Sequence, residues 1–502
     1  MHPALQNLEV ICTISSYVER TSLPALASTC REFEHPALDV LWRDLHSVSP
    51  LVNCLPSDLF GSDHGCSVLQ KPPDGKVWDT LFKCASRVRS ITITRSYRSE
   101  NPQTEALSLL MLSCPSTPAS FFPKLRKLTL YDNGTRSTAE FLRMTFVPSL
   151  VELNLQITSA SSTTLPVLSS LGTLCPNLQR MTVQVARARD DWLRKTLPFL
   201  IQSVSQLHHL HTLSVCDLGH KGMEYLMQLR ALQSLSLDLT TSSSWDTLPQ
   251  VQSPGFQDLK LLKLSTRTIE HASNFFRSLQ IVRSRGISFN FASHHAGSSA
   301  SGSAMLSQFL AILQEKCDND KLESFSFIRL GNMQPTELGI FTSLHAFRNL
   351  TQLVIEEDCD ISMSDEELCQ LVKAWPKLRV LKLGLYNTIT LPTFNGLIEL
   401  LRLCPVLTSL SLVIDATELD GIDLKCPGGG LCNKHIKFLA LGRSPLRSPV
   451  NVAVILSGLF PYLEEVDICG SASNKWIIVN DFLSGFRLVR EQRIEACVCS
   501  DL

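Results

Sequence analysis

Cys426, Cys432 and His435 bring three potential metal donors into one short stretch, and these are the residue types that a structural zinc ion uses. Their spacing matches no recognised zinc site and a fourth donor is missing, so the stretch implies no metal. His208, His209 and His211 form a second cluster of proton-carrying and metal-ligating side chains. Successive residues of a strand point to opposite faces, so these histidines do not converge through proximity in sequence alone. Cys54, Cys84 and Cys216 are candidate nucleophiles, yet none has a visible base to hold it as the thiolate. No glycine-rich phosphate loop, paired-carboxylate motif or nucleophile elbow stands in a strand-to-helix context. The residues therefore assign no catalytic, cofactor-binding or metal site, and the chain reads as a non-enzymatic binding protein.

What the chain carries in abundance is a pattern that positions side chains. A six-residue phrase, apolar at its first, fourth and sixth places, appears as Val88, Ile91, Ile93, as Leu125, Leu128, Leu130 and as Leu150, Leu153, Leu155. It recurs with first places at Leu178, Leu210, Leu232, Leu259, Leu322, Leu350, Leu378, Leu407, Ile436 and Leu463, the last running through Val466 to Ile468. The steps from Leu125 to Leu259 are 25, 28, 32, 22 and 27 residues, and those from Leu322 to Leu463 are 28, 28, 29, 29 and 27. Ile287, Phe289 and Phe291 form a damaged copy with Ser284 in first place. A repeated unit whose apolar side only its neighbours can bury predicts a stack, and a stack predicts an extended binding surface more readily than a pocket.

Composition agrees with such a body. The 502 residues are 44% hydrophobic and 19% charged, which supplies a continuous core and excludes disorder as the main state. The net charge of -1 opposes a protein devoted to a nucleic-acid backbone. Seventeen cysteines without short fixed spacings read as reduced thiols, many of them within apolar runs. The first residues lack the pattern of a signal peptide and no apolar run approaches about 18 residues, so neither secretion nor a membrane span is expected. The expected location is cytoplasmic or nuclear.

The first sixty residues have a different texture. Leu5, Leu8, Ile11, Ile14 and Val18 give one stripe of a helix. Ser22 is placed to cap a second helix with Leu23, Leu26, Ala27 and Cys30 on one side, and Pro36 to open a third with Leu38, Leu41, Trp42 and Leu45. This segment, from Leu5 through Glu9, Ile14, Leu23 and Cys30-Arg31 to Phe33, resembles an F-box. It is most similar to the fungal, basidiomycete-type form that runs on into Pro36-Ala37-Leu38-Asp39-Val40-Leu41-Trp42-Arg43-Asp44-Leu45. Leu8 departs from the family, which usually has Pro before the residue corresponding to Glu9. Asn7 stands where an apolar residue is common, and loss of the Pro predicts a looser start to the first helix. The resemblance implies that the head binds a Skp1-like adaptor, and through it a cullin-RING ubiquitin ligase, with Leu8, Ile11, Leu23, Leu26, Leu38, Leu41 and Trp42 as the contact. The other reading of the head is a vestigial F-box on a non-catalytic interaction scaffold.

The body is similar to the irregular leucine-rich repeats that follow the F-box in that family. The fold expected is α/β: a helical head over 1–60, a linker or exposed loop over 61–76 and a curved solenoid over 77–502. Its inner strands would be parallel and its helices outer, with a flexible insertion at 292–304. Phe141-Leu142, Leu193 with Leu197, Met223 with Leu226, Phe275 with Leu279, and Leu368 with Leu371 predict those helices. A regular repeat would place Asn three residues beyond the phrase; only Asn133 does so, which predicts uneven stacking. In such a solenoid the third and fifth places face the target protein, which selects Lys127, Asn154, Arg180, Ser214, Ser236, Lys263, Ser326, Gln352, Lys382 and Ser411. No nucleic acid, membrane or cofactor is expected as a partner. Glu464, Glu465 and Asp467 make the last copy acidic, suited to a basic partner or to a soluble cap.

Overall fold

The computed structural model describes residues 7–63, 66–94, 102–114, 120–132, 134–158, 163–185, 190–240, 256, 259–291, 302–328, 333–385, 390–441, 444–467 and 474–500. The chain divides into two compact units, Met1–Leu232 and Gln233–Leu502. In the first, the strands Asp44–Leu45, Ser90–Ile93, Lys127–Asp132, Glu152–Ile157, Arg180–Val185 and Thr212–Cys216 pair in chain order, all parallel. In the second, Ser234–Asp238, Leu261–Thr266, Gly286–Phe291, Ser324–Ile328, Gln352–Ser362, Val380–Leu385, Ser409–Ser411, Phe438–Ala440 and Glu465–Asp467 do the same. Like places of the phrase lie opposite one another at every rung: Leu128 pairs with Leu153 and Leu153 with Met181. Each unit is thus a leucine-rich-repeat solenoid.

The phrase forms this ladder because its first, fourth and sixth places all enter the core. None of those described is more than 6% exposed. The turn into each strand has a repeated chemistry of its own. Leu125, Leu150, Leu178, Leu378, Leu407 and Leu463 donate their amides to carbonyls three residues back, and Pro stands second in each turn, at Pro123, Pro148, Pro176, Pro376, Pro405 and Pro461. Pro holds the φ that the second place of such a turn needs. The residue that opens the turn is buried each time, as Phe122, Val147, Cys175, Trp375, Cys404 and Phe460. Cys175 and Cys404 therefore occupy packing positions, and burial pushes both thiols up to about 12.

The predicted outer helices form as Arg136–Thr145, Asp190–Ser205, Gly219–Gln228, Ile269–Ser278 and Asp365–Val372. Three of them start at a capping hydroxyl: Thr135 accepts from the Thr138 amide, Thr268 accepts from the His271 amide, and Ser364 with Glu367 forms a reciprocal capping box. The damaged copy at Ser284 is repaired by aromatic packing. Phe289 lies with its ring centroid 5.1 Å from that of Phe309 and 5.3 Å from that of Phe327, while the buried Ser284 hydroxyl donates to the Gly286 carbonyl at 2.7 Å. The predicted insertion lies outside the described residues from 292 to 301; its last residues begin the helix Gly302–Lys316. Asn133 and Ile468 also lie outside them.

Three expectations about the head require correction. The third helix spans Arg31–Arg43, so Pro36 sits inside it and not in its first turn. Pro36 is buried, and that packing opposes the cost of about 3 kcal/mol that an interior proline carries. The first helix, Leu8–Tyr17, is not left loose by Leu8, because Asn7 caps it: its side-chain oxygen accepts from the Glu9 amide at 2.9 Å. Residues 61–76 are not simply a loop. Phe60–Asp63 and Cys66–Leu69 pair as an antiparallel hairpin, and a helix begins at Gly75 with Asp74 as its cap.

The solenoid also starts earlier than expected. The third head helix runs directly into Asp44–Leu45, and Asp44 and Leu45 register against Ser90 and Ile91. At the other end a helix absent from the sequence reading, Asn474–Ser500, covers the last strand. Asn480 exchanges two hydrogen bonds with the backbone of Val466, at 2.9 and 3.0 Å. Trp476 donates to the Ser444 carbonyl at 2.9 Å, so the final edge is not left open.

Candidate recognition surfaces

On the head, Leu8 is 64% and Tyr17 86% exposed, at the two ends of the first helix. Leu26, Leu38, Leu41 and Trp42 are half-buried. Ile11 and Leu23 differ from expectation: at 2% and 1% exposure they belong to the core of the head and present nothing to a partner. Their spacing marked them as apolar, which does not by itself separate a core stripe from a contact stripe. The third helix is bound to the repeats by Arg87, which ion-pairs with Asp39 and places Nη2 2.9 Å from His35 Nδ1, and by Lys83, 3.6 Å from Glu34.

On the strand face of the first unit, the third places align Lys127, Glu152, Arg180 and Thr212. Lys127 reaches Glu152 Oε1 at 2.8 Å, and Arg180 holds Oε2 through Nη2 at 2.6 Å and Nε at 2.9 Å. Burial of Glu152 opposes its ionisation, but the hydrogen bonds from Lys127 and Arg180 outweigh this and hold its carboxyl below the ordinary range. The fifth places give a parallel row of hydroxyls and amides, Thr129, Asn154, Thr182 and Ser214, all half-buried.

In the second unit the fifth places run Ser236, Lys263, Ser288, Ser326, Val354, Lys382, Ser411, Ala440 and Asp467. Ser326 donates to Ser288 Oγ at 2.8 Å, and Gln352, in the neighbouring row, accepts from Ser324 at 3.2 Å. All ten residues selected from the phrase thus stand on strands at third or fifth places, four in one unit and six in the other. The selection passed over Arg89, Lys124 and Arg126, exposed at the strand entrances, and over Phe438, 60% exposed beside Glu465. Arg89 and Arg126 stand at the second place of the phrase and Lys124 just before its first, so reading the places ahead of the third finds the three cations.

Cys426, Cys432, His435, His208, His209 and His211 are all exposed, and among the described residues no group of three or more His, Cys, Asp or Glu side chains is gathered to hold a metal. Cys54 and Cys84 do meet. The hydrogen bond between their thiols lowers Cys54 to about 7 and, with burial, raises Cys84. Cys216 is buried. Among the described residues no helix is long and apolar enough to cross a membrane.

No protein-family model and no curated protein sequence matches the chain. Among solved structures it is similar to the TLR13–ssRNA13 complex, at 15% identity and a TM-score of 0.38, over 77% of this chain and 53% of that one. It is also similar to the leucine-rich repeat-containing protein LegL7 from Legionella pneumophila, at 13% identity and a TM-score of 0.34, over 62% of this chain and 95% of that one. The chain spans about half the length of the TLR13 chain. The fold assignment rests on the strand register and the burial of the phrase.

Proposed function

We propose that this chain is the target-holding subunit of a Skp1-cullin-RING ubiquitin ligase, with the head docking a Skp1-like adaptor and the strand faces holding a target protein. The observation that carries this reading is the exposed Leu8 on a helical head that is continuous with the first rung of the sheet. An adaptor docked on the head would withdraw this side chain from water and gain from its burial. Leu26, Leu38, Leu41 and Trp42 are the half-buried residues that would widen the contact. The role needs no chemistry from this chain: holding a target lysine near a charged conjugating enzyme raises effective concentration, and the bond-making groups belong to other subunits.

Capture of the full chain by purified Skp1 tests the reading. Leu8→Asp, at an exposed position, is expected to weaken capture at least tenfold with the thermal unfolding midpoint unchanged. Capture that is indifferent to Leu8→Asp refutes the interface. No capture by the wild-type chain refutes the ligase role and leaves the second reading, a repeat scaffold with a vestigial head. Leu8 in the place where the family usually has Pro favours that second reading.

A further inference from the structure

Some cations on the surface of this protein have a carboxylate within reach, as Arg136 has Glu140, Arg402 has Glu399 and Lys437 has Glu464. At the strand entrances of the first unit few carboxylates accompany the cations. Arg89, Lys124, Arg126, Lys127 and Arg180 are all exposed there, and among the described residues Arg89, Lys124 and Arg126 make no ion pair. The register makes them neighbours. Arg89 offers its carbonyl to the amides of both Arg126 and Lys127, and Lys127 and Arg180 flank Glu152 from the rungs on either side of it, each rung about 4.8 Å from the next.

Carboxylates are scarce in the same stretch. Across residues 87–94, 124–132, 149–157, 177–185 and 209–216 they are Glu152, shared by two of these cations, and Asp132, which is buried. Asp44, in the first strand, is held by Arg43 at 2.8 Å. A chain whose net charge is -1 has thus gathered a local positive surplus on one face. From this juxtaposition we propose that the entrance edge of the first repeats is a docking strip for an acidic polypeptide segment, whose Asp or Glu side chains meet Arg89, Arg126 and Lys124. Lys127 and Arg180, kept in place by Glu152, would flank it.

Two observations favour a peptide over a nucleic acid. The adjoining row is neutral hydroxyl and amide, suited to hydrogen-bonding a peptide backbone, and Glu152 interrupts the positive track that a continuous phosphate chain would follow. Arginine forks match carboxylates in pairs of hydrogen bonds, which gives the contact direction as well as charge. The inference rests on the reading that the strand face holds a target; it does not require the head to bind an adaptor.

Fluorescence anisotropy on the full chain tests it, using a labelled peptide of repeating Glu-Gly-Ser and its Gln-Gly-Ser counterpart. The Glu peptide is expected to bind at least tenfold more tightly than the Gln peptide, and more weakly as salt screens the contact. The double reversal Arg126→Glu with Arg180→Glu is expected to cost at least tenfold in affinity. Arg143→Glu with Lys221→Glu makes the same change in net charge on exposed outer-helix positions and is expected to cost less than threefold. Equal binding of the two peptides, equal losses in the two double variants, or tighter binding of a single-stranded RNA oligonucleotide than of the Glu peptide overturns the proposal. Skp1 capture measured on the same samples separates the readings: Glu-peptide binding without capture removes the ligase role and leaves the strip.

Discussion

Asn433 offers the sharpest test of how neighbouring turns are held together. It is 4% exposed, and its side chain makes three hydrogen bonds. Nδ2 donates to the Leu407 carbonyl of the previous rung at 2.9 Å, while Oδ1 accepts from the amides of His435 at 2.8 Å and Ile436 at 3.0 Å. Its own amide donates to the Leu459 carbonyl at 2.7 Å, so three successive parts of the coil meet at one residue. Asn433→Ala removes the three side-chain bonds, each worth about 1 kcal/mol net, and leaves a buried amide and carbonyl unpaired at about 1–3 kcal/mol. Allowing for relaxation, the expected loss of local stability is about 3–5 kcal/mol. Hydrogen exchange read by mass spectrometry over Leu407–Leu412 and Ile436–Leu441 should then accelerate by about two to three and a half powers of ten, at about 1.4 kcal/mol for each. Asn177 and Asn349 make the analogous bond from exposed positions, to Pro148 at 3.0 Å and Asp320 at 2.8 Å. Water replaces those bonds, so Asn177→Ala and Asn349→Ala should each cost less than about 1 kcal/mol. Acceleration of less than tenfold in Asn433→Ala, or equal to that in Asn177→Ala, would refute the reasoning.

Two further outcomes follow from the titrating groups. The carboxyl of Glu152 is depressed on folding, so its contribution to stability is complete above the unfolded value of about 4.3 and is lost as pH falls through the folded pKa. The gap in urea midpoint between the wild-type chain and Glu152→Gln should therefore hold from pH 7 to about 5 and close below about 4; a gap constant down to pH 3 contradicts the network. Cys54, lowered to about 7 by its hydrogen bond with Cys84, should be alkylated by iodoacetamide with a midpoint near that pH, as read by peptide mass. Cys84→Ala should move the midpoint up toward the ordinary thiol value of about 8.5, and an unmoved midpoint would mean that the pair does not interact in solution.

Most of the ladder was legible because its signal is redundant. Each rung states the same burial rule three times, and a helical spacing follows several of them, so Ser284 could spoil one copy without hiding the rung. The first rung was illegible for the opposite reason. Only Asp44 and Leu45 pair there, and the residues before them obey the periodicity of the helix Arg31–Arg43. The sequence pattern points to a fastening residue three places past the phrase, whereas Ser149, Asn177 and Asn349 fasten from the residue just before it. The Pro that precedes them at Pro148 and Pro176 was a visible marker of that turn. Of the two surfaces, strand geometry alone gave the third and fifth places. Exposure on the head was not legible, because Ile11 and Leu8 share one apolar stripe and only tertiary packing separates the buried residue from the exposed one.

The join between the head and the repeats has a consequence for both. Val48, Leu51, Leu55 and Leu59 are buried just beyond the first strand, and Arg87 reaches back from the end of the helix Gly75–Ala85 to Asp39 and His35. A head cut at residue 60 would lose the partners of Asp44 and Leu45 as well as the Arg87 and Lys83 contacts, and would expose those apolar side chains. So small a body has little core with which to offset these losses. The same contacts fix the direction in which the helix Leu8–Tyr17 presents Leu8 relative to the first rungs. Whatever covers Leu8 is thereby held at a set offset from whatever lies along Arg126 and Arg180, without a flexible linker between the two. A flexible insertion after Leu45 should therefore loosen this offset while Glu-peptide binding along Arg126 and Arg180, read by anisotropy on the full chain, changes less than threefold; a tenfold loss would mean that the strip depends on the head.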